Sequence, residues 1–106
     1  MRVGIRSEHW VDDHLRPAGG SSFGNGFAIS WQHGPLGRGD KRKEPNGAFV
    51  EDVIAAAVDR IEFYQRTEFN CDENAAALEH LQKALAILDE RTQKREARQV
   101  EGTHSV

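Results

Sequence analysis

Leu78-Glu79-His80-Leu81-Gln82-Lys83-Ala84-Leu85-Ala86-Ile87-Leu88-Asp89-Glu90-Arg91-Thr92-Gln93-Lys94-Arg95 is the stretch that decides the fold. Leu78, Leu81, Leu85 and Leu88 recur at three- and four-residue steps, so they line one side of an α-helix. The same side then passes to Arg91, Arg95 and Arg98. A packing seam thus becomes an anion-attracting surface, because planar guanidinium forks suit phosphate oxygens. The arginines have a structural explanation too: cations in the last turns offset the helix macrodipole by about 0.3–1 kcal/mol each.

Working outward, the helix is predicted over residues 71–98, with 99–106 as a tail. The Asn70 to Glu73 spacing resembles a capping box with asparagine in the cap position. Before it, Val50, Val53, Ile54, Ala57, Ile61 and Tyr64 repeat with helical spacing, and Asn46-Gly47 opens a first helix over 47–66. Glu51 and Asp52 at its start and Arg60 and Arg66 towards its end suit the helix dipole. Thr67, Glu68 and Phe69 connect the two helices.

Upstream of residue 46 the period changes from helical to alternating. Phe27, Ile29 and Trp31 alternate with Ala28, Ser30 and Gln32, the pattern of a strand with one buried face, and Gly24-Asn25-Gly26 forms the turn before it. Val3 and Ile5 suggest a second short strand. Gly19-Gly20-Ser21-Ser22 reads as a flexible connection, and Gly34 to Pro45, rich in glycine and proline and ending in a charged run, reads as a loop. The expected fold is α+β and one domain over 1–106, with strands and loops over 1–46 followed by a long two-helix hairpin.

Run to about Ala97, the second helix would span about 39 Å, whereas a compact chain of this size has a radius of gyration of about 13 Å. Two helices and a small sheet cannot cover both the leucine seam and a second stripe of Phe49, Ala56 and Phe63, so the hairpin is expected to mediate self-association into at least a dimer.

Composition narrows the function. The 106 residues are 38% hydrophobic with a formal charge of −3, so no overall positive field draws the chain to nucleic acid or an anionic membrane, and any phosphate ligand is captured locally. No run approaches the roughly 18 apolar residues of a membrane span. The single cysteine, Cys71, excludes an intramolecular disulfide and fits a reducing cytosol. His9, His14, His33, His80 and His104 are scattered, with no helical zinc spacing, and no metal or cofactor is expected. The glycines between Gly34 and Gly39 match neither the dinucleotide fingerprint nor the phosphate loop. Glu51 and Asp52 are adjacent on a helix and point apart, so they form no acid–base pair, and the chain is read as a non-enzyme.

The remaining residues suit a compact anionic nucleotide. Arg91, Arg95 and Arg98 would clamp phosphates, Phe63, Tyr64 or Phe69 would stack on a base, and Asn74 would read a base edge. Each has an ordinary alternative: the aromatics as helix-packing residues, Asn74 as a partner of local backbone groups, and Arg38, Lys41, Arg42 and Lys43 as a solvated charge run.

The succession Asn25-Gly26-Phe27, Trp31-Gln32-His33-Gly34-Pro35-Leu36-Gly37-Arg38, Pro45-Asn46-Gly47-Ala48-Phe49-Val50-Glu51-Asp52-Val53, Arg60-Ile61-Glu62-Phe63-Tyr64-Gln65, Glu73-Asn74 and Arg91-Thr92 through Arg95 to Val100-Glu101-Gly102-Thr103-His104 resembles the first-described family of phage Thoeris anti-defence proteins. The resemblance covers about residues 24–104. It implies an N-terminal antiparallel sheet followed by a helical hairpin shared with anti-CBASS sponges. It also implies binding without cleavage of cyclic ADP-ribose isomers made by TIR-domain immune proteins in the bacterial host cytosol. Family members form dimers or hexamers built as trimers of dimers, and some hold cyclic di- or trinucleotides at separate sites. By resemblance, Asn74 would contact the base, Phe63 or Tyr64 would stack on it, Arg91 and Arg95 would hold the pyrophosphate, and Arg38 with its loop would close the pocket. Two other readings stand beside it: a small dimeric nucleic-acid-binding regulator, and a structural helical-hairpin assembly protein in which the arginines only solvate a helix end.

Overall fold

The computed structural model describes residues 4–106 and contains three strands, β1 (Arg6–Val11), β2 (Pro17–Gly24) and β3 (Phe27–Trp31), and two helices, α1 (Val50–Gln65) and α2 (Asp72–Ala97). The α+β architecture expected from the sequence is the one observed: an antiparallel sheet of order β1-β2-β3, then two helices. The chain divides into two compact units, one comprising Met1–Phe49 with Arg98–Val106 and the other Val50–Ala97.

In the first unit, Gly19-Gly20-Ser21-Ser22 is not a flexible connection but the middle of β2, with Gly19 paired to β1 and Gly20 to Ser22 paired on both sides. The small residues permit the sheet rather than prevent it. Gly20 has φ +138°, and a β-carbon there would overlap the Glu8 carbonyl oxygen of β1. Only glycine tolerates that approach. Ser22 is buried, and its hydroxyl is satisfied twice, by Ser7 Oγ at 2.8 Å and by the Trp31 indole N–H donating at 3.0 Å. The second strand comes from Arg6–Val11 rather than from Val3 and Ile5; Val3 lies outside the described residues and Ile5 precedes β1. Gly26, at φ +91°, makes the tight turn between β2 and β3.

The outer edge of β3 is covered by Ala48, whose N–H donates to the Ser30 carbonyl at 2.7 Å and whose carbonyl accepts from Gln32 N–H at 3.0 Å. That pairing keeps the backbone extended, so α1 begins at Val50 and not at Gly47. Asn46 secures the approach: its side chain accepts from His33 N–H at 2.8 Å and donates to the His33 carbonyl at 3.1 Å.

In the helical unit, α1 turns Val53, Ile54, Val58, Ile61 and Gln65 away from solvent, while Val50, Ala57 and Tyr64 of the expected stripe are exposed. Leu78, Leu81, Leu85 and Leu88 of α2 are half-buried and form the packing seam, which continues through Thr92 and Arg95. Asn70 does not cap α2; its side chain donates to the Thr67 carbonyl at 2.7 Å. The hairpin turn is tied instead by Gln65, which accepts from Cys71 N–H and donates to the Cys71 carbonyl, both at 3.1 Å. Lys83–Glu79 and Lys94–Glu90 ion pairs decorate the outside of α2 at four-residue spacing.

Among the described residues, the buried apolar side chains are Leu36 and Val58, each 8% exposed, and α2 has no buried residue. No helix among the described residues is long and apolar enough to cross a membrane.

Candidate functional site

The sequence-predicted ligand residues occupy three places. At the turn end of the hairpin, α1 presents an aromatic and cationic cluster. The Arg60 guanidinium lies 5.1 Å from the Phe63 ring centroid and 4.9 Å from that of Tyr64, and its Nε donates to the Tyr64 hydroxyl at 3.1 Å. Phe63 and Tyr64 stand 5.9 Å apart, tilted by 50°, and both are exposed. Spacings of three and four residues put Arg60 over Phe63 and Tyr64, a contact beyond the dipole role expected of Arg60. Asn74, one turn into α2, is half-buried and donates to the Phe69 carbonyl at a long 3.4 Å.

Arg91 and Arg95 lie at the opposite end of α2, Arg91 exposed and Arg95 half-buried in line with the leucine seam. Seventeen residues at 1.5 Å each separate Asn74 from Arg91, about 26 Å along the axis. One hairpin therefore carries an aromatic and amide surface at one end and a guanidinium surface at the other.

Arg38 and Arg98 belong to the first unit. Arg98 follows the last residue of α2 and donates to the Val106 carbonyl at 2.8 Å, and Gln99 at φ 59° turns the chain out of the helical path after it. Arg38 donates to the Glu101 carbonyl at 3.0 Å and lies 3.8 Å from its carboxylate. Arg42 grips that carboxylate with both terminal nitrogens, at 2.6 and 2.9 Å. The charged loop is thus no mere solvated run: its arginines hold the C-terminal segment, aided by Gly37 N–H donating to the Gly102 carbonyl at 2.7 Å. Loop and tail are distant in sequence, and no periodicity announces their pairing.

Beside this crossing, Arg16, Pro35, Gly37, Gly102, Thr103, His104 and Ser105 line a cavity of about 390 Å³. Asp12, at the β1–β2 turn, accepts from His14 N–H at 2.8 Å and Arg16 N–H at 3.0 Å. The Arg16 amide foremost holds its carboxyl below the usual carboxylate range; desolvation opposes this, and the His14 amide and the charges of His104 and Arg16 add to the lowering. No cluster of three metal-binding side chains occurs among the described residues.

Residues 25–93 match the family model described as Acb2/Tad1, hairpin domain. The chain belongs to the Acb2/Tad1 hairpin family. The matched segment takes in β3, α1 and most of α2, including the Arg60, Phe63, Tyr64 and Asn74 cluster and Arg91. Among relatives of this hairpin chain, Thoeris anti-defense 1 of Bacillus phage SBSphiJ7 is 43% identical over 76 residues, 72% of this chain. Those residues amount to 51% of the relative, so the hairpin chain spans about half the length of the curated protein it matches.

Proposed function

We propose that this protein is a phage-encoded sponge that binds cyclic ADP-ribose isomers in the host cytosol, holds them intact and so blocks Thoeris-type defence. The observation that carries the reading is the extensive identity with a relative named for Thoeris anti-defence, within a family whose hairpin this chain shares. The chemistry supports it. A cyclic ADP-ribose has an adenine face for stacking and a pyrophosphate for guanidinium forks, and the hairpin presents aromatic and cationic groups suited to both. A stacked base and desolvated arginine pairs release slowly, which is what sequestration without turnover requires.

Geometry shapes the proposal. A ligand of that size cannot bridge about 26 Å from Asn74 to Arg91 of one helix. Two copies packed with their α2 helices antiparallel would bring Asn74 with Phe63 or Tyr64 of one chain to Arg91 and Arg95 of the other. The exposure of Phe63, Tyr64, Phe69 and Ile87, with so small a core in the single chain, supports such an assembly. We propose a dimer as the binding unit, with a hexamer of three dimers as its higher form, and cyclic di- or trinucleotides as further ligands. Arg38 would close the pocket from the loop.

Separate inactive variants test the shared pocket. Arg95→Ala and Asn74→Ala are each expected to abolish binding of cyclic ADP-ribose isomers while leaving the helical content intact. Mixing the two restores one intact pocket per heterodimer. Titration that stays flat in the mixture, after confirmed subunit exchange, rejects the shared pocket; unchanged affinity in Arg95→Ala alone rejects the pyrophosphate assignment.

A further inference from the structure

The cavity beside the loop–tail crossing is not used by the hairpin surfaces described above. It lies wholly within the first unit, built from the β1–β2 turn, the loop at Pro35 and Gly37, and the tail from Gly102 to Ser105. Its volume of about 390 Å³ falls in the range of small-ligand pockets.

Its lining holds open hydrogen-bond donors. The Arg16 guanidinium donates no hydrogen bond and closes no ion pair at contact distance among the described residues, although its charge reaches Asp12. The amides of Gly102 and His104 likewise carry no hydrogen bond among the described residues, and the His104 ring adds a further donor. The two nearby carboxylates are already engaged. Asp12 faces the amides of its own turn, and Glu101 is held by the Arg42 fork. Arg16 brings a full positive charge to the lining, beside the amides of Gly102 and His104.

Glycines let the loop and the tail meet. A β-carbon on Gly102 would overlap the Gly37 carbonyl oxygen and come within 2.7 Å of Arg42 Nη1, and both glycines have left-handed φ, +82° and +83°. The two glycines therefore let the loop and tail backbones cross closely, which brings the Gly102 amide into the cavity lining.

We propose that this cavity binds the phosphate group of a small phosphate monoester, with Arg16 as its principal cation and His104 as its second side-chain donor. A fork of guanidinium N–H groups with neighbouring amides is the donor set a dianionic tetrahedral oxyanion needs. The volume accommodates a sugar attached to the phosphate. The site is complete within one chain, and it sets apart a terminal phosphate, which offers three oxygens, from the phosphodiesters of a cyclic nucleotide, which offer two each.

The test uses the full chain labelled with ¹⁵N and titrated with ribose 5-phosphate, with ribose at equal concentration as the control and inorganic phosphate to separate the contribution of the sugar. Saturable shifts of the Gly37, Gly102 and His104 amides with ribose 5-phosphate, and none with ribose, are expected. Arg16→Ala is expected to weaken binding by about tenfold or more, and Arg16→Lys by less. The Trp31 indole resonance reports that the sheet is intact in each variant, and His104→Gln replaces Arg16→Ala if that variant does not fold. The proposal is overturned if those amides do not shift saturably, if affinity survives loss of both Arg16 and His104 side chains, or if the shifts fall instead on the Arg91 and Arg95 amides.

Discussion

Gly102→Ala puts the loop–tail junction to a quantitative test. Gly102 has φ +83°, where an L-residue costs about 1–2 kcal/mol. Its β-carbon would also overlap the Gly37 carbonyl oxygen, so the strands of the crossing must part and the 2.7 Å bond from Gly37 N–H to the Gly102 carbonyl is lost. That bond is worth about 0.5–1.5 kcal/mol net. Together the effects reach about 2–3 kcal/mol, and at about 1.4 kcal/mol per tenfold the Gly37 amide should exchange with solvent about 30- to 150-fold faster. Gly34→Ala is the control, because Gly34 has a similar φ of +78° but open space at the β-carbon. It should bear the conformational cost alone. Native-state hydrogen exchange on both variants decides the matter: equal acceleration at Gly37 in the two proteins would show that the close backbone crossing contributes nothing.

Three further expectations concern the same unit. Ser22→Ala removes the acceptor of the Trp31 indole and the partner of Ser7, and should cost about 1–3 kcal/mol in urea denaturation; a change below 0.5 kcal/mol, on the order of surface substitutions, would mean that solvent replaces the network. A double-mutant cycle on Arg42→Ala and Glu101→Ala should give a coupling of about 0.5–1 kcal/mol that shrinks in salt, given the partial exposure of both side chains; no coupling, or coupling indifferent to salt, would contradict the fork. Asp12 titrates below the usual carboxylate range when folded, so its support of the β1–β2 turn is fully present above the unfolded-state value and fades only as pH falls through the lowered folded value. In an acid titration the His14 and Arg16 amide resonances should shift only at pH below that of an ordinary aspartate, and in Asp12→Asn this transition should vanish; an onset at or above the ordinary range would refute the assignment.

The helical half of the fold was legible because burial imposes a period. Leu78, Leu81, Leu85 and Leu88 had to face one way, and they do. The sheet was only partly legible. Phe27, Ile29 and Trp31 alternate, but Gly19 to Ser22 lack the side chains from which strands are recognised, and what holds them is contact with β1 and with the Trp31 indole, which are tertiary facts. Asn70 shows the converse. Its spacing suited a cap, yet both its N–H and its side chain donate to the Thr67 carbonyl, just beyond α1.

Of the candidate ligand residues, the helix positions of Arg91 and Arg95 were readable from spacing. The Arg60 contact with Phe63 and Tyr64 was implicit in the same arithmetic. The Arg42–Glu101 fork was not, since it joins segments 59 residues apart through a loop of no fixed period. The separation of Asn74 from Arg91 was available from sequence as a length along one helix, and its consequence is that a single hairpin does not form the whole proposed pocket.

The most direct measurement of the central proposal is calorimetric titration of the protein with cyclic ADP-ribose isomers, followed by denaturation of the complex and chromatography of the released ligand. The sponge reading predicts saturable binding at a fixed ligand-to-protomer ratio and recovery of the ligand unchanged. Absence of binding to every isomer, or recovery of a cleaved product, would contradict it.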